Sequence, residues 1–332
     1  MRTMESYFYY PTKVALVDDN RTFLSSTRLK LASTLATALF ESPEDALKAI
    51  NNNPPLPLLD NNVMSALNNP NIDEVSTEKA INIDVKDVYK QIYNPERFSH
   101  ISTVIVDYDM PNINGIEFCR RIANPGIRKI MVTGKAGYSL AVDAFNEGVI
   151  NKFIVKSSDN MFDELQEAVK QEQHQYFYNA TKSVLDSLKV DAASLLKDPS
   201  FLDIFNEIYR KVNACEYYLL DSAGSLLMLD MDANIHLFLV MTEAELERYY
   251  QIAKNNDAPK IIIKDLKERR KVLFLHSDDD YKLPVSSWND HMYTAKKSSG
   301  NENFYYALLN AKTNNLISTK GVASYKEYLR GL

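Results

Sequence analysis

Short apolar runs that end abruptly in aspartate recur along the first half of this chain. The run from Lys13 to Val17 is followed by Asp18 and Asp19. The run from Thr103 to Val106 is followed by Asp107. Buried parallel strands have this composition, and open α/β sheets place their functional groups at the carboxyl ends of the strands. The pattern therefore predicts a mainly parallel sheet with acidic groups gathered at one edge.

Strand-like and helix-like segments alternate through this half. Strands are predicted over residues 13–17, 37–40, 103–106, 129–132 and 152–155, and helices over 23–35, over 43–50 and for about 30 residues from Ser158. Ser42 followed by Pro43 is a helix start, because serine caps the free N–H groups and proline is tolerated in the first turn. This alternation predicts βαβ units. The long segment from Ser158 is either a helix packed on its own domain or a signalling helix that pairs with its twin.

An unusual stretch interrupts the pattern. Between Asn51 and Asn71, 12 of 21 residues are Asn or Pro, which favour turns and loops. We interpret residues of about 51–95 as an insertion of about 40 residues that ends in a short helix over Val85–Tyr93. A plain loop is favoured over a functional arm.

The second half of the chain has a different character. Strands are predicted over 216–220, 225–229, 236–240, 271–275, 291–296 and 304–309, and helices over 201–212 and 243–254. Hairpin-turn residues stand at 222–224 and 232–234, which favours antiparallel pairing. We therefore expect an α+β domain with an antiparallel sheet over 191–332, joined to the first domain by a connecting helix over 158–190.

Composition excludes several classes of protein. The chain has 332 residues, a net charge of −6 and a pI near 5.5, which argues against binding nucleic acid by bulk charge. Cys119 and Cys215 are the two cysteines, so neither a disulfide framework nor a cysteine-rich zinc site is expected. No glycine-rich nucleotide motif and no run long enough to span a bilayer is present. We expect a soluble, cytoplasmic protein that does not contact membranes.

Three carboxylates at neighbouring strand ends have a chemical consequence. If Asp18, Asp19 and Asp107 converge, they repel one another and raise each other's pKa unless a cation joins them. A hard divalent ion such as Mg²⁺ is the natural occupant. Thr133 follows the fourth strand and Lys156 the fifth, which brings a hydroxyl and an ammonium to the same edge. These are the components of a phosphoryl-transfer site.

The segments that hold these residues resemble a known family. VALVDDN, VIVDYDMPNINGIEF, IMVTGKAG and FIVKSS stand in the order and spacing of the receiver domain of two-component response regulators. Asp107 begins Asp-x-x-Met-Pro, with Gly115 beyond it; Thr133 lies 26 residues after Asp107 and Lys156 another 23. The resemblance covers about 10–165 and implies a flavodoxin-like (βα)5 receiver domain containing the insertion.

The resemblance implies a phosphoacceptor and a metal site. Asp107 would accept a phosphoryl group from a histidine kinase, a phosphotransfer protein or a small phosphodonor. Asp19, Asp107 and the backbone carbonyl of Asp109 would ligate Mg²⁺ or Mn²⁺, and Asp18 would act through metal-bound water. The receiver would promote its own phosphorylation and dephosphorylation, and we identify no separate catalytic output, so the chain is not expected to be an enzyme in the usual sense.

The resemblance also implies a switch. Thr133 and Lys156 would contact the phosphoryl oxygens, and Phe153 would be the aromatic residue that rotates when Thr133 moves inward. Asp109 and Lys135 occupy variable positions that modulate phosphoryl lifetime in this family. We expect phosphorylation to promote a homodimer through the face near Phe153 and the helix that begins at Ser158.

The chain departs from the family pattern in two places. Asp107 lies 89 positions after Asp18, about twice the usual interval, which the insertion explains. Ser157 follows Lys156, where the family usually has proline. These departures leave open a degenerate receiver that serves as a scaffold without accepting phosphate. The insertion and the uncommon second half make the whole chain similar to quorum-sensing response regulators.

Three classes of output remain open for the second half. The favoured class is an interaction or sensory module, loosely PAS-like, with a face rich in the aromatic residues Tyr217, Tyr218, Phe238, Tyr249, Tyr250, Trp288, Tyr305 and Tyr306, most of which we expect in the core. DNA binding is poorly supported, because the basic cluster over 264–271 contains acidic residues and favours a solvated face. An enzyme output depends on residues 276–280, which favour a polar loop over a metal site.

Overall fold

The computed structural model describes residues 6–31, 34–53, 56, 88–134, 137–187, 194–221, 223–275, 280–298, 303–314 and 316–332. The strands within these ranges are β1 (Phe8–Tyr9), β2 (Lys13–Val17), β3 (Thr37–Phe40), β4 (Ile101–Asp107), β5 (Arg128–Thr133), β6 (Lys152–Val155), β7 (Ala214–Leu219), β8 (Leu226–Asp230), β9 (Ile235–Thr242), β10 (Lys271–Leu273), β11 (Met292–Thr294), β12 (Lys296–Lys297) and β13 (Phe304–Asn310).

The helices, numbered in the same way, are α1 (Arg21–Leu31), α2 (Pro43–Asn51), α3 (Gly115–Arg120), α4 (Tyr138–Asn146), α5 (Met161–Ser187), α6 (Pro199–Lys211), α7 (Glu243–Asn255), α8 (Lys260–Lys267), α9 (Ala311–Asn314) and α10 (Tyr325–Arg330). Short 3-10 helices span Lys90–Tyr93, Pro95–Ser99, Leu195–Lys197, Asp280–Lys282 and Val285–His291. Within the described ranges, no helix is both long enough and apolar enough to cross a membrane.

The chain folds into two compact units. The parallel-sheet unit comprises Tyr9–Ile81, Asn94–Val184 and Tyr325–Leu332, and the antiparallel-sheet unit comprises Met1–Phe8, Asn82–Tyr93 and Leu185–Ser324. Each unit thus comprises segments that are separate in the sequence. The predicted boundaries at 10–165, 158–190 and 191–332 stay predictions. Most of the predicted insertion lies outside the described residues, as do residues 85–87 of the helix expected there.

The first unit is built on a five-stranded parallel sheet. Its strand order is β3-β2-β4-β5-β6, so the chain runs outward from β2 to β3 and then crosses back to β4 on the other side. The carboxyl ends of β2 and β4 therefore flank the point where the winding direction reverses, which is where sheets of this kind bind ligands. This order confirms the flavodoxin-like fold expected from the sequence.

Alternate residues of these strands pack on opposite faces of the sheet, because side chains of a strand alternate in direction. Val14 and Leu16 lie in one apolar core with α1 and α5, and Ala15 and Val17 lie in the other with α2, α3 and α4. Helices therefore cover both faces, and both faces of the central strands are buried. This burial explains why the strands appear in the sequence as continuous apolar runs.

The long helix α5 belongs to this unit along most of its length. Its residues Leu165, Ala168 and Val169 are buried in the same core as Val14, and further along Tyr176 and Phe177 are buried as well. This packing favours the first of the two interpretations of the segment, a helix that packs on its own domain.

The short helix α10 also belongs to the parallel-sheet unit. Tyr325 of α10 is 1% exposed, and its hydroxyl accepts a hydrogen bond from the Ala36 N–H at 2.9 Å. The same hydroxyl donates to the Thr34 carbonyl oxygen at 3.3 Å. The Tyr325 ring lies 5.0 Å from that of Phe98, between centroids. Helix α10 is thus fixed beside the start of β3 by polar and aromatic contacts.

The second unit confirms the antiparallel sheet expected from the sequence. Its six strands have the order β1-β7-β8-β9-β13-β12, with β10 and β11 forming a separate pair. The turn between β8 and β9 is closed by the Asp230 carboxylate, which accepts from the Asp232 and Asn234 N–H groups. Ala233 in this turn has a φ of 62°. The PAS-like arrangement stays a prediction.

The aromatic and basic residues of this unit have structural partners. Five of the eight aromatic residues considered for a binding face, Tyr217, Tyr218, Phe238, Trp288 and Tyr305, are buried. In the basic cluster, Arg269 pairs with Glu243 and Glu247, while Arg270 and Lys271 pair with Asp265. These pairings favour the solvated-face interpretation of the cluster.

Candidate functional site

The predicted acidic residues meet at the carboxyl edge of the parallel sheet. Val17 pairs with Val106 in the register of β2 and β4, so the next residues, Asp18 and Asp107, end the two strands side by side. Carboxylate oxygens of Asp18, Asp19 and Asp107 lie within 4.8 Å of one another. Asp18 and Asp107 are buried, whereas Asp19 is exposed.

Lys156 places its ammonium between two of these carboxylates. Its Nζ lies 2.9 Å from Asp18 Oδ2 and 3.0 Å from Asp107 Oδ1. The residue follows β6, and its N–H donates to the Thr133 carbonyl oxygen at 2.8 Å, which fixes the start of the lysine side chain beside β5. One ammonium thus faces three carboxylates. The formal charge of the cluster remains negative, as expected for a site that takes a cation.

The carboxylates form a donor set that suits a divalent ion. They offer hard oxygen ligands, which Mg²⁺ and Mn²⁺ prefer. Asp19 is the exposed member of the group. Within the part of the chain that the structure describes, this is the one group of three potential metal ligands.

Thr133 and Gly137 share a confined space beside the cluster. Thr133 is fully buried, and its hydroxyl donates to the Gly134 carbonyl oxygen at 3.1 Å. A Cβ at Gly137 would overlap Thr133 Oγ1 and would also meet the Tyr108 ring. Glycine at position 137 therefore leaves room for the threonine hydroxyl.

Phe153 lies on β6 in a group of exposed aromatic rings. It is half-buried, and its ring packs edge-on against Tyr138 at 5.5 Å and Phe145 at 6.2 Å between centroids. Tyr138 and Phe145 are 49% and 48% exposed. Rotation of Phe153 would therefore alter a surface that is already rich in apolar area.

One expected site residue, Lys135, lies outside the described residues. Its predicted influence on phosphoryl lifetime, together with that of Asp109, stays a prediction. Of the alternative metal cluster at residues 276–280, residues 276–279 also lie outside the described residues.

The pKa values of Asp107 and Lys156 are both raised above their ordinary values. Burial is the largest cause that raises the pKa of Asp107, and the negative charge of Asp18 adds to it, while the hydrogen bond from Lys156 opposes both. Burial alone would lower the pKa of Lys156, but its hydrogen bonds to Asp18 and Asp107 raise that pKa above the ordinary value. Ionised Asp107 is thus costly to bury, and Lys156 stays charged.

This cost predicts that Asp107→Asn stabilises the protein at neutral pH in the absence of divalent ions. A carboxyl group whose pKa is raised on folding stabilises the folded state below its unfolded pKa, about 3.9. That stability is lost as the pH rises through the folded pKa. At pH 7 we expect the free energy of unfolding of the variant to exceed that of the wild type by about 0.5–2 kcal/mol, the usual size of a stabilising substitution. Urea unfolding in EDTA would measure the difference.

The gain should shrink towards pH 4, where wild-type Asp107 also becomes neutral. Addition of Mg²⁺ at pH 7 should also reduce the difference in stability between the two proteins, because an ion that binds only the folded wild type stabilises the wild type. A variant less stable than the wild type at pH 7, or a gap that widens in acid, would contradict the assignment of Asp107 as a destabilised carboxylate.

Sequence reasoning missed two contributors to this site. Phe23, on α1, places its ring 4.4 Å from Lys156 Nζ. Asn20 caps α1 by accepting from the Phe23 N–H at 3.1 Å, and its own N–H donates to Asp18 Oδ1 at 2.7 Å. Asn20 carries a recognisable capping signal directly after Asp19. The ring contact joins residues far apart in the chain, and no local pattern predicts it.

Comparison with known proteins supports the resemblance to a receiver domain. A family model described as the response regulator receiver domain matches residues 60–170. The structure adds β2 and β3, which precede that match, to the same sheet. No curated protein matches the chain at a significant level.

A full-length likeness is found among the solved structures. The Legionella pneumophila response regulator LqsR is 29% identical and has a TM-score of 0.80, covering 100% of this chain and 97% of that one. An adenylate cyclase from Rhodopirellula baltica is 21% identical, covers 53% of this chain and 96% of its own, and has a TM-score of 0.37. A CheY-like receiver domain protein from Methanospirillum hungatei JF-1 is 17% identical, covers 50% and 96%, and has a TM-score of 0.33.

The last two likenesses carry no conclusion, because they cover half of the chain at low scores. The family match and the full-length likeness suffice without them. This chain contains a response regulator receiver domain and is similar over its whole length to a two-component response regulator.

Proposed function

We propose that Asp107 accepts a phosphoryl group in a Mg²⁺-dependent reaction and that this phosphorylation switches the receiver. The observation that supports the proposal most directly is the position of the Asp107 carboxylate. It is buried at the end of β4, within 4.8 Å of two further carboxylates and 3.0 Å from an ammonium. A carboxylate confined among a metal-ligand set and a cation is suited to act as a phosphoryl acceptor.

The transfer is an exchange of one bond to phosphorus for another. A carboxylate oxygen of Asp107 attacks the phosphorus atom while the bond from phosphorus to the donor breaks. The donor atom is an imidazole nitrogen in a phosphohistidine and an oxygen in a small phosphodonor. The bonding electron pair leaves with the donor. Lys156 and Thr133 bind the phosphoryl oxygens, and the Lys156 ammonium neutralises part of their charge. Because Lys156 is already held at the acceptor, this stabilisation needs little rearrangement.

The metal site uses the remaining oxygens. Asp19, Asp107 and the Asp109 carbonyl would hold Mg²⁺ or Mn²⁺ directly, and Asp18 would act through water. The ion, when bound, neutralises the negative charge that accumulates between the acceptor and the phosphoryl group. Asp18 also keeps Lys156 in place, since its Oδ2 binds the ammonium at 2.9 Å.

Phosphorylation would change the face near Phe153. A phosphoryl group adds a charge of about −1.5 to −2 and strong hydrogen-bond acceptors. These acceptors would draw the Thr133 hydroxyl away from Gly134, and Phe153 would turn into the vacated space. The exposed rings of Tyr138 and Phe145 on the same surface support homodimer formation through this face.

The output is an interaction or regulatory activity of the antiparallel-sheet unit, and the upstream partner is a histidine kinase or a phosphotransfer protein. The likeness to LqsR, together with the insertion and the uncommon second unit, supports a role in quorum sensing. DNA binding is the alternative output, and the ion pairs of Arg269, Arg270 and Lys271 count against it. A non-phosphorylated scaffold is the alternative for the whole chain.

Intact-mass analysis tests the proposal. After incubation with acetyl phosphate and Mg²⁺, the wild type should gain the mass of one phosphoryl group, and the gain should vanish with EDTA. Asp107→Asn should gain nothing, because an amide is not a competent acceptor. Asp143→Asn, an exposed aspartate on α4, is the matched control and should be labelled like the wild type. Sedimentation of the labelled sample should show the dimer.

Labelling of Asp107→Asn to the wild-type extent would refute Asp107 as the acceptor. Failure to label the wild type both with acetyl phosphate and with a purified kinase would favour the scaffold. An unchanged mass in solution at every concentration of the phosphorylated protein would refute regulated dimerisation alone.

A further inference from the structure

Phe23 is held rigidly next to the acidic cluster. It occupies the third position of α1, and its N–H donates to the Asn20 side chain at 3.1 Å. Asn20 in turn donates its N–H to Asp18 Oδ1 at 2.7 Å. The helix cap and the carboxylate are thus one connected unit, and the backbone of Phe23 is fixed relative to Asp18.

The Phe23 ring supplies a third contact to the Lys156 ammonium. Asp18 and Asp107 bind Nζ at 2.9 and 3.0 Å, and the ring centroid lies 4.4 Å away. An ammonium carries three N–H donors. A cation within about 6 Å of a ring face is attracted by the ring quadrupole. Two carboxylates and one ring therefore satisfy the group on three sides.

We propose that Phe23 is a positioning residue for phosphoryl transfer, acting through a cation–π contact that holds Lys156 over Asp107. The side chain of Lys156 is 29% exposed, so without the ring its flexible stem can turn the ammonium toward water. The ring keeps the ammonium where the phosphoryl oxygens arrive. This inference rests on the proposed function of Lys156.

A role in core packing alone is the competing explanation, because Phe23 also touches the apolar core of α1 and α5. Phe162 provides a matched control. It packs against the same core, and Lys30 Nζ lies 6.0 Å from its ring centroid, yet Lys30 is exposed and is not a member of the acidic cluster. The two phenylalanines thus share an apolar core but face different ammonium groups, at 4.4 Å for Phe23 and 6.0 Å for Phe162.

Fluorinated phenylalanines separate electronic from steric effects, because each fluorine weakens the ring quadrupole with little change in size. In the full chain, 4-fluoro-, 3,5-difluoro- and 3,4,5-trifluorophenylalanine at position 23 should lower the rate of labelling by acetyl phosphate and Mg²⁺ in graded steps. Phe23→Leu should lower it about fivefold, the size of a partly desolvated cation–π contact. Phe23→Tyr should restore the rate, and trifluorophenylalanine at position 162 should leave it unchanged.

Proton NMR gives a second readout that does not depend on phosphorylation. The ring current of Phe23 should shift the ε-methylene protons of Lys156 upfield, and Phe23→Leu should abolish that shift. If the wild type is not labelled at all, the proposed function fails, and the shift alone decides whether the ring holds the ammonium. If the wild type is labelled but the fluorinated proteins are labelled at the same rate, the inference is overturned. The absence of the upfield shift of the Lys156 ε-methylene protons also overturns it.

Discussion

Lys156→Met should lower the rate of phosphoryl incorporation by about 10²–10³-fold, the loss that follows removal of one preorganised charge from a site of this type. Methionine retains the approximate length of the side chain and removes the ammonium that binds Asp18 and Asp107. The two carboxylates are then left in contact without a cation between them. Labelling by acetyl phosphate and Mg²⁺, followed as intact mass over time, measures the loss.

Lys48→Met is the control for this change, because Lys48 is an exposed residue of α2 and its loss should leave the rate within about twofold of the wild type. Circular dichroism of both variants would show that each is folded. A Lys156→Met protein that is labelled within threefold of the wild-type rate would remove Lys156 from the transfer step.

Gly115→Ala should destabilise the protein by about 3 kcal/mol, at the upper end of the usual cost of forcing extra volume into a filled site. A Cβ at this position would overlap the carbonyl oxygen of Asp107 and would lie 3.1 Å from Tyr108 Cα. The obstacle is backbone rather than a flexible side chain, so β4 or α3 has to shift. Urea unfolding would measure the change in the free energy of unfolding.

Gly134→Ala is the matched control, since no described atom lies within 4 Å of a Cβ placed there. It should alter the free energy of unfolding by less than about 0.5 kcal/mol, as is usual for a substitution that meets no such obstacle. Equal effects of the two substitutions would show that close approach of α3 to the end of β4 is not what requires glycine at position 115.

The sequence predicted the strands that build the site because burial on both faces leaves a clear local record. Lys13–Val17, Thr37–Phe40 and Lys152–Val155 coincide with strands of the structure. Each is a short apolar run between polar residues, which few other elements produce. The convergence of Asp18 with Asp107 also followed from the sequence, since both end neighbouring parallel strands.

Other features depend on contacts that no local pattern contains. Phe23 is one apolar residue in an amphipathic helix, and only the fold brings it to Lys156. Helix α8, over Lys260–Lys267, was missed because its charged residues suggested a solvated segment. Helix α10 has six residues, too few for a periodic signal, and it is held by tertiary contacts rather than by helix propensity.

The placement of α10 also bears on the order in which the chain is completed during synthesis. Residues 325–330 are made after the whole of Leu185–Ser324, although they belong to the parallel-sheet unit. The strands that carry Asp18, Asp107 and Lys156 leave the ribosome long before, and domains generally fold as they emerge. We therefore expect the parallel sheet to form before α10 docks on it.

A fragment cut at the end of α5 would share the composition of that early state. Its Ala36 N–H would lack the Tyr325 hydroxyl that accepts from it at 2.9 Å, and it would also lose the packing of the buried Tyr325 ring against Phe98. An isolated receiver that is truncated by sequence boundaries alone is therefore a weakened one. The segment to add back is the eight residues Tyr325–Leu332.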